Sequence, residues 1–300
     1  MTFKQLEALY WVVHLGNFAL AARELHTTQS AISKRIQELE ATLGVALFDR
    51  SQRSSLLTEK GAEVAQIAKQ LLDQRSAAIE KLMHPQDVTR RLTLGVTELT
   101  AMTWLPAWVR QIRDCYPRIA IEPYVDNSAN LWVKMQRDEL DLIVAPETAI
   151  VGNLHQQVVG RVENSWMCQP GLVPFKQRLR LRDIADQRLI VQGSKSGTGL
   201  IYDAWLHKAG VVPVGAIVVS NLFALIGLTV AGLGVSYLPR HCLQPMLDQG
   251  RLQVLPVSPG LPPVTYAAYY KGERTDTLVA SIVEMARDCC DFRSMFQMTA

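Results

Sequence analysis

The chain has 300 residues, 48% apolar and 20% charged, with a formal net charge of +3. That size predicts two domains, a small one and a larger one, each with a proper core. So small a charge excludes attraction of an anionic polymer by the molecule as a whole; any basic surface must be local.

Phe3, Leu6, Leu9, Tyr10 and Val13 recur at spacings of three and four, which predicts an amphipathic helix over 3–15. Gly16-Asn17 ends it, and Asn17 is placed to cap a second helix, "FALAARELH", whose Ala19, Ala21 and Ala22 allow close approach by another helix. After the turn His26-Thr27, Thr28 can cap a third. Along it Ile32, Ile36, Leu39 and Leu43 make one apolar face. The opposite face opens with Gln29, Ser30, Ser33, Lys34 and Arg35 and continues with Gln37, Glu38 and Glu40. Basic and neutral at its start, acidic further on, it has the charge order of a helix entering the DNA major groove by its N-terminus. There amides and hydroxyls read base edges, cations meet phosphates and the positive end of the helix dipole faces the backbone. Two helices joined by a short turn in this way form a helix-turn-helix. The stretch "ALFDRSQRSSLLT" reads as two short strands around Ser51-Gln52-Arg53-Ser54, a wing suited to the minor groove or a phosphate, with Arg50 touching phosphate or buttressing it.

Thr58 is placed to cap a long helix ending near Met83. Its Val64, Ala68, Leu71, Leu72, Ala78, Ile79 and Leu82 recur at near-heptad spacing, interrupted by Arg75. So long a stripe must be buried on its own chain or against a second copy. From Arg90 onward, strand-like and helix-like stretches alternate, predicting α/β structure with a largely parallel sheet. "RLTLGV", "RIAIEPYV" and "LDLIVA" are strands, with helices after the first and, capped by Asn127-Ser128, after the second. The pattern repeats after Arg161 through "SWMCQP", "LRDIAD", "RLIVQ", "TGLIYDAWLHKAG", "AIVVS" and "LFALIGLTVAG". Two α/β lobes joined by crossing strands have the architecture of a periplasmic-binding-protein-like cleft.

The run "AARELHTTQSAISKRIQELEATLGVALFDR" followed by "LLTEKG" resembles the N-terminal winged helix-turn-helix of LysR-type transcriptional regulators. The similarity continues more loosely through Leu105-Pro106, Tyr116-Pro117, Leu140-Asp141, Gly232-Leu233-Gly234-Val235 and Leu238-Pro239. The resemblance implies that Gln29, Ser30, Ser33 and Lys34 face bases and phosphates and that Arg53 sits in the wing. Lys34 stands where the family often has arginine, and offers a point charge rather than a bidentate fork. The resemblance further implies pairing of the long helix into a homodimer, or a homotetramer built from it. Double-stranded DNA with two-fold-related sites is the expected partner, and RNA polymerase is a further candidate. The expected fold is α/β, with an α-dominated winged helix-turn-helix over 1–58, a dimerising helix and hinge over 59–87, and a two-lobed effector-binding domain over 88–300.

A small-molecule effector, an organic or amino acid, is expected between the lobes. Helix N-termini facing a cleft offer free N–H groups, which selects Thr97 and Thr100, Asn127 and Ser128, and Gln192 and Ser194 in the loop Gln192-Gly193-Ser194. Thr198 and Tyr202 are placed to approach from the second lobe; each of these polar groups also suits a cap or turn. Glu98 and Glu147 lie at strand ends near the same place and would repel a plain acid unless paired with Lys195 or with an amino group on the ligand.

Rival readings fare worse. "GSKSGTG" lacks the residue order of a phosphate-binding loop, and no G-x-S-x-G supports a serine hydrolase, so an enzyme is not expected. A thiol sensor needs reactive cysteines, but Cys115, Cys168, Cys242, Cys289 and Cys290 are odd in number, lack C-x-x-C spacing and read as reduced thiols. Six scattered histidines predict no metal site, and no cofactor is expected. The N-terminus is too polar for a signal peptide and no apolar run reaches membrane-spanning length, so a cytoplasmic location without membrane contact is expected, against an exported solute-binding protein.

Overall fold

The computed structural model describes residues 1–49, 56–82, 90–148, 154–174, 177–213, 215–271 and 277–295. Two compact units divide the chain, Met1–Met83 and His84–Ala300.

In the smaller unit, helix α1 (Phe3–Leu15) starts at Thr2 and stops at Gly16, which adopts a left-handed φ of 63°. Asn17 Oδ1 accepts from the backbone N–H groups of Ala19 and Leu20 and so starts α2 (Phe18–Glu24). Thr28 does the same for Ala31 at the head of α3 (Gln29–Leu43), which ends at Gly44 with φ 70°. Ile32, Ile36 and Leu39 are buried against Leu6, Leu9, Val12 and the close-packed Ala21 and Ala22; Leu43, at the last turn, is exposed. Strands β1 (Phe48–Asp49) and β2 (Leu56–Leu57) pair antiparallel. The turn between them, with Arg50 and Arg53, lies outside the described residues.

Helix α4 (Glu59–Leu82) is capped by Thr58, whose Oγ1 accepts from Gly61 N–H at 2.9 Å and donates to Ala46 O at 2.8 Å. A Cβ on Gly61 would stand 2.1 Å from Leu47 O, so only glycine permits this approach of helix and strand. Val64, Ala68, Leu71 and Leu72 pack onto the core of this unit, while Ala78 and Ile79 are exposed. Arg75 is not a mere interruption of the stripe. Its guanidinium pairs with Glu7 at 2.9 Å and lies over the Phe3 ring at 4.9 Å, where α1 begins and its cover of α4 stops.

The larger unit opens with β3 (Arg91–Val96), α5 (Glu98–Met102), α6 (Leu105–Cys115), β4 (Ala120–Val125), α7 (Ser128–Gln136) and β5 (Leu142–Pro146). The single helix expected after β3 is broken at Thr103-Trp104, with Pro106 in the first turn of α6, where proline begins a helix rather than continuing one. The chain then runs through β6 (His155–Val162) into a second lobe. This comprises β7 (Asn164–Cys168), β8 (Leu179–Arg180), α8 (Leu181–Ala185), β9 (Ile190–Gln192), α9 (Gly197–Lys208), β10 (Ile217–Val219), α10 (Leu222–Val230), β11 (Ser236–Pro239), α11 (Gln244–Asp248), β12 (Gln253–Val254) and β13 (Val257–Ser258). Strand β14 (Val264–Tyr270) returns to the first lobe, followed by α12 (Thr277–Cys289).

The first sheet has the order β4-β3-β5-β14-β6. Strand β3 is parallel to β4 and β5, but β14 is antiparallel to both β5 and β6. In the second lobe β9 and β10 are parallel, whereas β7 pairs antiparallel with β11 and β12. The expectation of a largely parallel sheet is therefore corrected to a mixed one. Strands linked by helical crossovers run parallel; β14 enters from the other lobe and is free to run the opposite way. Trp104 and Trp108 are buried beneath this sheet, and Trp108 Nε1 donates to Ile282 O at 3.0 Å, tying α6 to α12. No described helix is long and apolar enough to cross a membrane.

Candidate functional site

In the smaller unit, the first two turns of α3 hold Gln29, Ser30, Ser33, Lys34 and Arg35. Gln29, Ser30 and Lys34 are exposed and Ser33 and Arg35 half-buried. Thr28 caps the helix and its hydroxyl also meets Ser30 Oγ at 3.0 Å, so Ser30 is held next to the free N–H groups of the first turn. The acidic continuation of this face has another use. Glu40 Oε1 accepts from the backbone N–H groups of Leu47 at 2.8 Å and Phe48 at 3.3 Å, and Glu38 Oε2 accepts from Gln5 Nε2 at 3.2 Å. Glu38 and Glu40 thus tie α3 to α1 and to the start of β1.

In the larger unit, a cleft of about 40 Å³ lies between the lobes. The starts of α5, α7, α9 and α10 reach it, through Thr97 and Glu98, Asn127 and Ser128, Ser196 and Thr198, and Leu222. Thr97, Asn127, Ser128, Gln192 and Thr198 line it, as the sequence led us to expect. Three other candidates do not. Thr100 lies fully buried one turn into α5. Ser194 is exposed on its loop. Tyr202 is buried in α9, where its Oη donates to Pro262 O at 3.0 Å and its ring packs against Tyr237. Glu147 is also absent from the lining; its Oε1 accepts from Gln156 Nε2 at 2.7 Å.

Contacts across the cleft are polar. Ser128 Oγ in the first lobe accepts from Gly197 N–H in the second at 3.1 Å, and Ala129 N–H donates to Lys195 O at 3.0 Å. Glu98 Oε2 accepts from the backbone N–H of Leu222, at the start of α10. Burial pushes the Glu98 carboxyl above its ordinary value; the Leu222 N–H pulls it back in part, and the charge of Asp126 raises it further. Asp126 Oδ1 accepts from Asn127 N–H and Nδ2 and from Asn130 Nδ2. Among the described residues lining the cleft, Glu98 and Asp126 are the only charged side chains.

Sequence reasoning missed the back wall. Tyr266 comes from β14, beside a pairing irregularity of the kind that re-aims side chains. Burial pushes its phenol up to about 12, eased by the hydroxyls of Thr97 and Thr198 that face it. Tyr237 on β11 accepts from Gln192 N–H at 2.8 Å and is likewise pushed up to about 12 by burial. Asn164 and Val162, at the crossing between lobes, complete this side. An alternation of aromatic and small residues in "VTYAAYY" was the one available signal for the strand that bears Tyr266.

All five cysteines are free thiols. Burial raises Cys168, and raises Cys242 and Cys290 to about 12, so at neutral pH these carry little thiolate. No group of three or more His, Cys, Asp or Glu among the described residues is placed to hold a metal ion.

Comparison with known proteins follows the same division. Residues 3–62 match the bacterial regulatory helix-turn-helix proteins of the lysR family, and residues 85–291 match the LysR substrate binding domain. The transcriptional regulator MetR of Salmonella typhimurium is 26% identical over 290 residues, covering 96% of this chain and 90% of MetR. Full-length OxyR from Pseudomonas aeruginosa superposes with a TM-score of 0.70 at 21% identity, over 98% of this chain and 99% of OxyR. Full-length CbnR, solved in complex with its target DNA, superposes with a TM-score of 0.54 at 20% identity, over 97% of this chain and all (100%) of CbnR.

Proposed function

The chain belongs to the LysR family of bacterial transcriptional regulators, and from that premise we propose which residues read DNA and where an effector binds. The first turns of α3 are the reading head: Gln29, Ser30 and Ser33 meet base edges, and Lys34 and Arg35 meet phosphates or bases. Arg53 is assigned to the wing, along the minor groove or a phosphate, and Arg50 to touching phosphate or buttressing the wing. The head spans 1–58, a dimerising helix and hinge 59–87, and the effector domain 88–300. Two copies, or four, place paired heads on a two-fold-related DNA site. A small organic or amino acid binds between the lobes against Thr97, Asn127, Ser128, Gln192 and Thr198. It shifts the orientation of the heads because it binds one lobe arrangement better than the other.

The observation that carries the DNA reading is the polar start of α3, with Gln29, Ser30 and Lys34 exposed, on a helix whose acidic groups are spent on Gln5, Leu47 and Phe48. The test is footprinting on duplexes selected from a random pool by the wild-type protein. Lys34→Glu and Ser33→Glu should each abolish the footprint while the far-ultraviolet spectrum and melting of the protein stay unchanged. Wild-type affinity should fall steeply with salt, since displaced counterions carry much of it. A retained footprint, or a flat salt response, overturns the assignment.

A further inference from the structure

The cleft holds an unusual inventory for an anion-binding pocket. Four helix starts reach it, yet its only charged side chains are the two carboxylates Glu98 and Asp126, with no lysine, arginine or histidine in the described lining. Asp126 is already served by neutral amide donors. Glu98 spans the lobes and occupies the first N–H of α10, a helix of nine residues whose cap Asn221 takes only the Ala224 N–H. The chain's own carboxylate thus sits where a ligand carboxylate would bind.

A second observation points to a missing ligand. Thr97 is only 8% exposed and lines the cleft, and its Oγ1 faces the Tyr266 phenol but makes no hydrogen bond of good geometry there. Buried hydroxyls rarely go unserved. The free space of about 40 Å³ suits water rather than a ligand. A ligand therefore needs a wider gap between the lobes, and one whose carboxylate takes the start of α10 must displace Glu98 from the Leu222 N–H.

Three ligand types meet this site differently. A plain carboxylate would enter beside two carboxylates with nothing to neutralise it. A simple amine would draw Glu98 away and leave the start of α10 bare. A zwitterion serves both groups. Resting on the reading of the cleft as the effector site, we propose that the ligand is an α-amino acid. Its ammonium pairs with Glu98, and its carboxylate replaces Glu98 on the Leu222 N–H, with the Thr97 hydroxyl as a further contact. The same exchange relieves the penalty that burial and Asp126 impose on the Glu98 charge.

The test is calorimetric titration of the full chain with each proteinogenic amino acid, its N-acetyl derivative and its decarboxylated amine. At least one amino acid should bind, with both derivatives weaker by roughly tenfold or more, the size expected for losing one charged hydrogen bond. Glu98→Gln should weaken the amino acid by a similar factor. Thr97→Val, which removes a hydroxyl that faces Tyr266 without a hydrogen bond of good geometry, should weaken binding with little change in the melting temperature. Thr198→Trp, which fills the cleft, should abolish it in a protein that still melts cooperatively. An N-acetyl derivative binding as well as its parent, an unaffected Glu98→Gln, or silence across the amino acids overturns the proposal. If acids without an ammonium bind and Thr198→Trp blocks them, the amino-acid assignment fails and the cleft stands. If binding survives Thr198→Trp, the cleft itself is the wrong site.

Discussion

Glu40 on α3 holds the backbone N–H of Leu47 at 2.8 Å and reaches that of Phe48 at 3.3 Å, so one carboxylate fastens the start of the wing to the helix proposed to read DNA. Leu47 is fully buried, which leaves its amide no access to water if the acceptor is removed. Wing and helix are therefore one rigid piece at this point.

Glu40→Ala should cost about 1–3 kcal/mol, the range for stranding a buried donor. In a unit of this size that lowers the melting temperature by roughly 5 °C or more. Glu40→Gln keeps an acceptor and should lose much less. Thermal melts by circular dichroism distinguish them; equal melting of all three would mean that the carboxylate supports nothing.

Ile79 lies on α4 beyond the point where Arg75 meets Phe3 and Glu7, and it is 47% exposed. The apolar stripe is covered by its own unit up to Arg75 and continues uncovered through Ala78 and Ile79. A two-fold pairing of α4 would bury Ile79 of both copies. Ile79→Glu should then raise the dimer dissociation constant by at least about a hundredfold, from the loss of two buried isoleucines at roughly 1.5–3 kcal/mol each. Sedimentation velocity across a concentration series measures this. An unchanged assembly would place the interface elsewhere.

Glu98 gives a pH signature. Its folded value is raised above the ordinary glutamate value of 4.5, so the folded chain takes up this proton before the unfolded chain does. The resulting stabilisation is fully present below 4.5 and is lost as pH rises through the folded value. Glu98→Gln removes this proton uptake. The difference in melting temperature between variant and wild type should therefore favour the variant near neutrality and shrink on acidification towards 4.5. Tryptophan fluorescence follows the relevant unit, since Trp11 is the one tryptophan of six outside the larger unit. A difference that stays constant with pH would show that Glu98 keeps an ordinary value.

Much of the smaller unit was legible because its signals are local. Thr28, Asn17 and Thr58 act on N–H groups two or three residues ahead, and Gly16 and Gly44 end helices through their own backbone angles. On α1 only Leu6 and Leu9 of the expected face are buried; Phe3 and Val13 are exposed, and Ala8 and Val12 take the buried places. The buried Ile32, Ile36 and Leu39 of α3 do follow from spacing. The same holds for Thr97, Asn127, Ser128, Gln192 and Thr198, which lie at strand ends or helix starts and so tend towards a cleft in any α/β lobe. Glu38, Glu40 and Arg75 were misread as face charges or an interruption, since their partners lie 33, 7 to 8 and 68 residues away.

What the sequence by itself determined is most of the order of elements as far as α10, many of the caps that bound them and the polar start of α3, because each depends on neighbours within a turn or two. The tertiary structure alone decided that Tyr237 and Tyr266 wall the cleft, that Thr100, Ser194 and Tyr202 stand outside it, and that Glu98 caps α10 across the gap. Those outcomes depend on the return of β14 from the second lobe and on lobe closure. Both bring together residues more than a hundred positions apart, as Glu98 and Leu222 are, and no local pattern of charge or hydrophobicity encodes such a meeting.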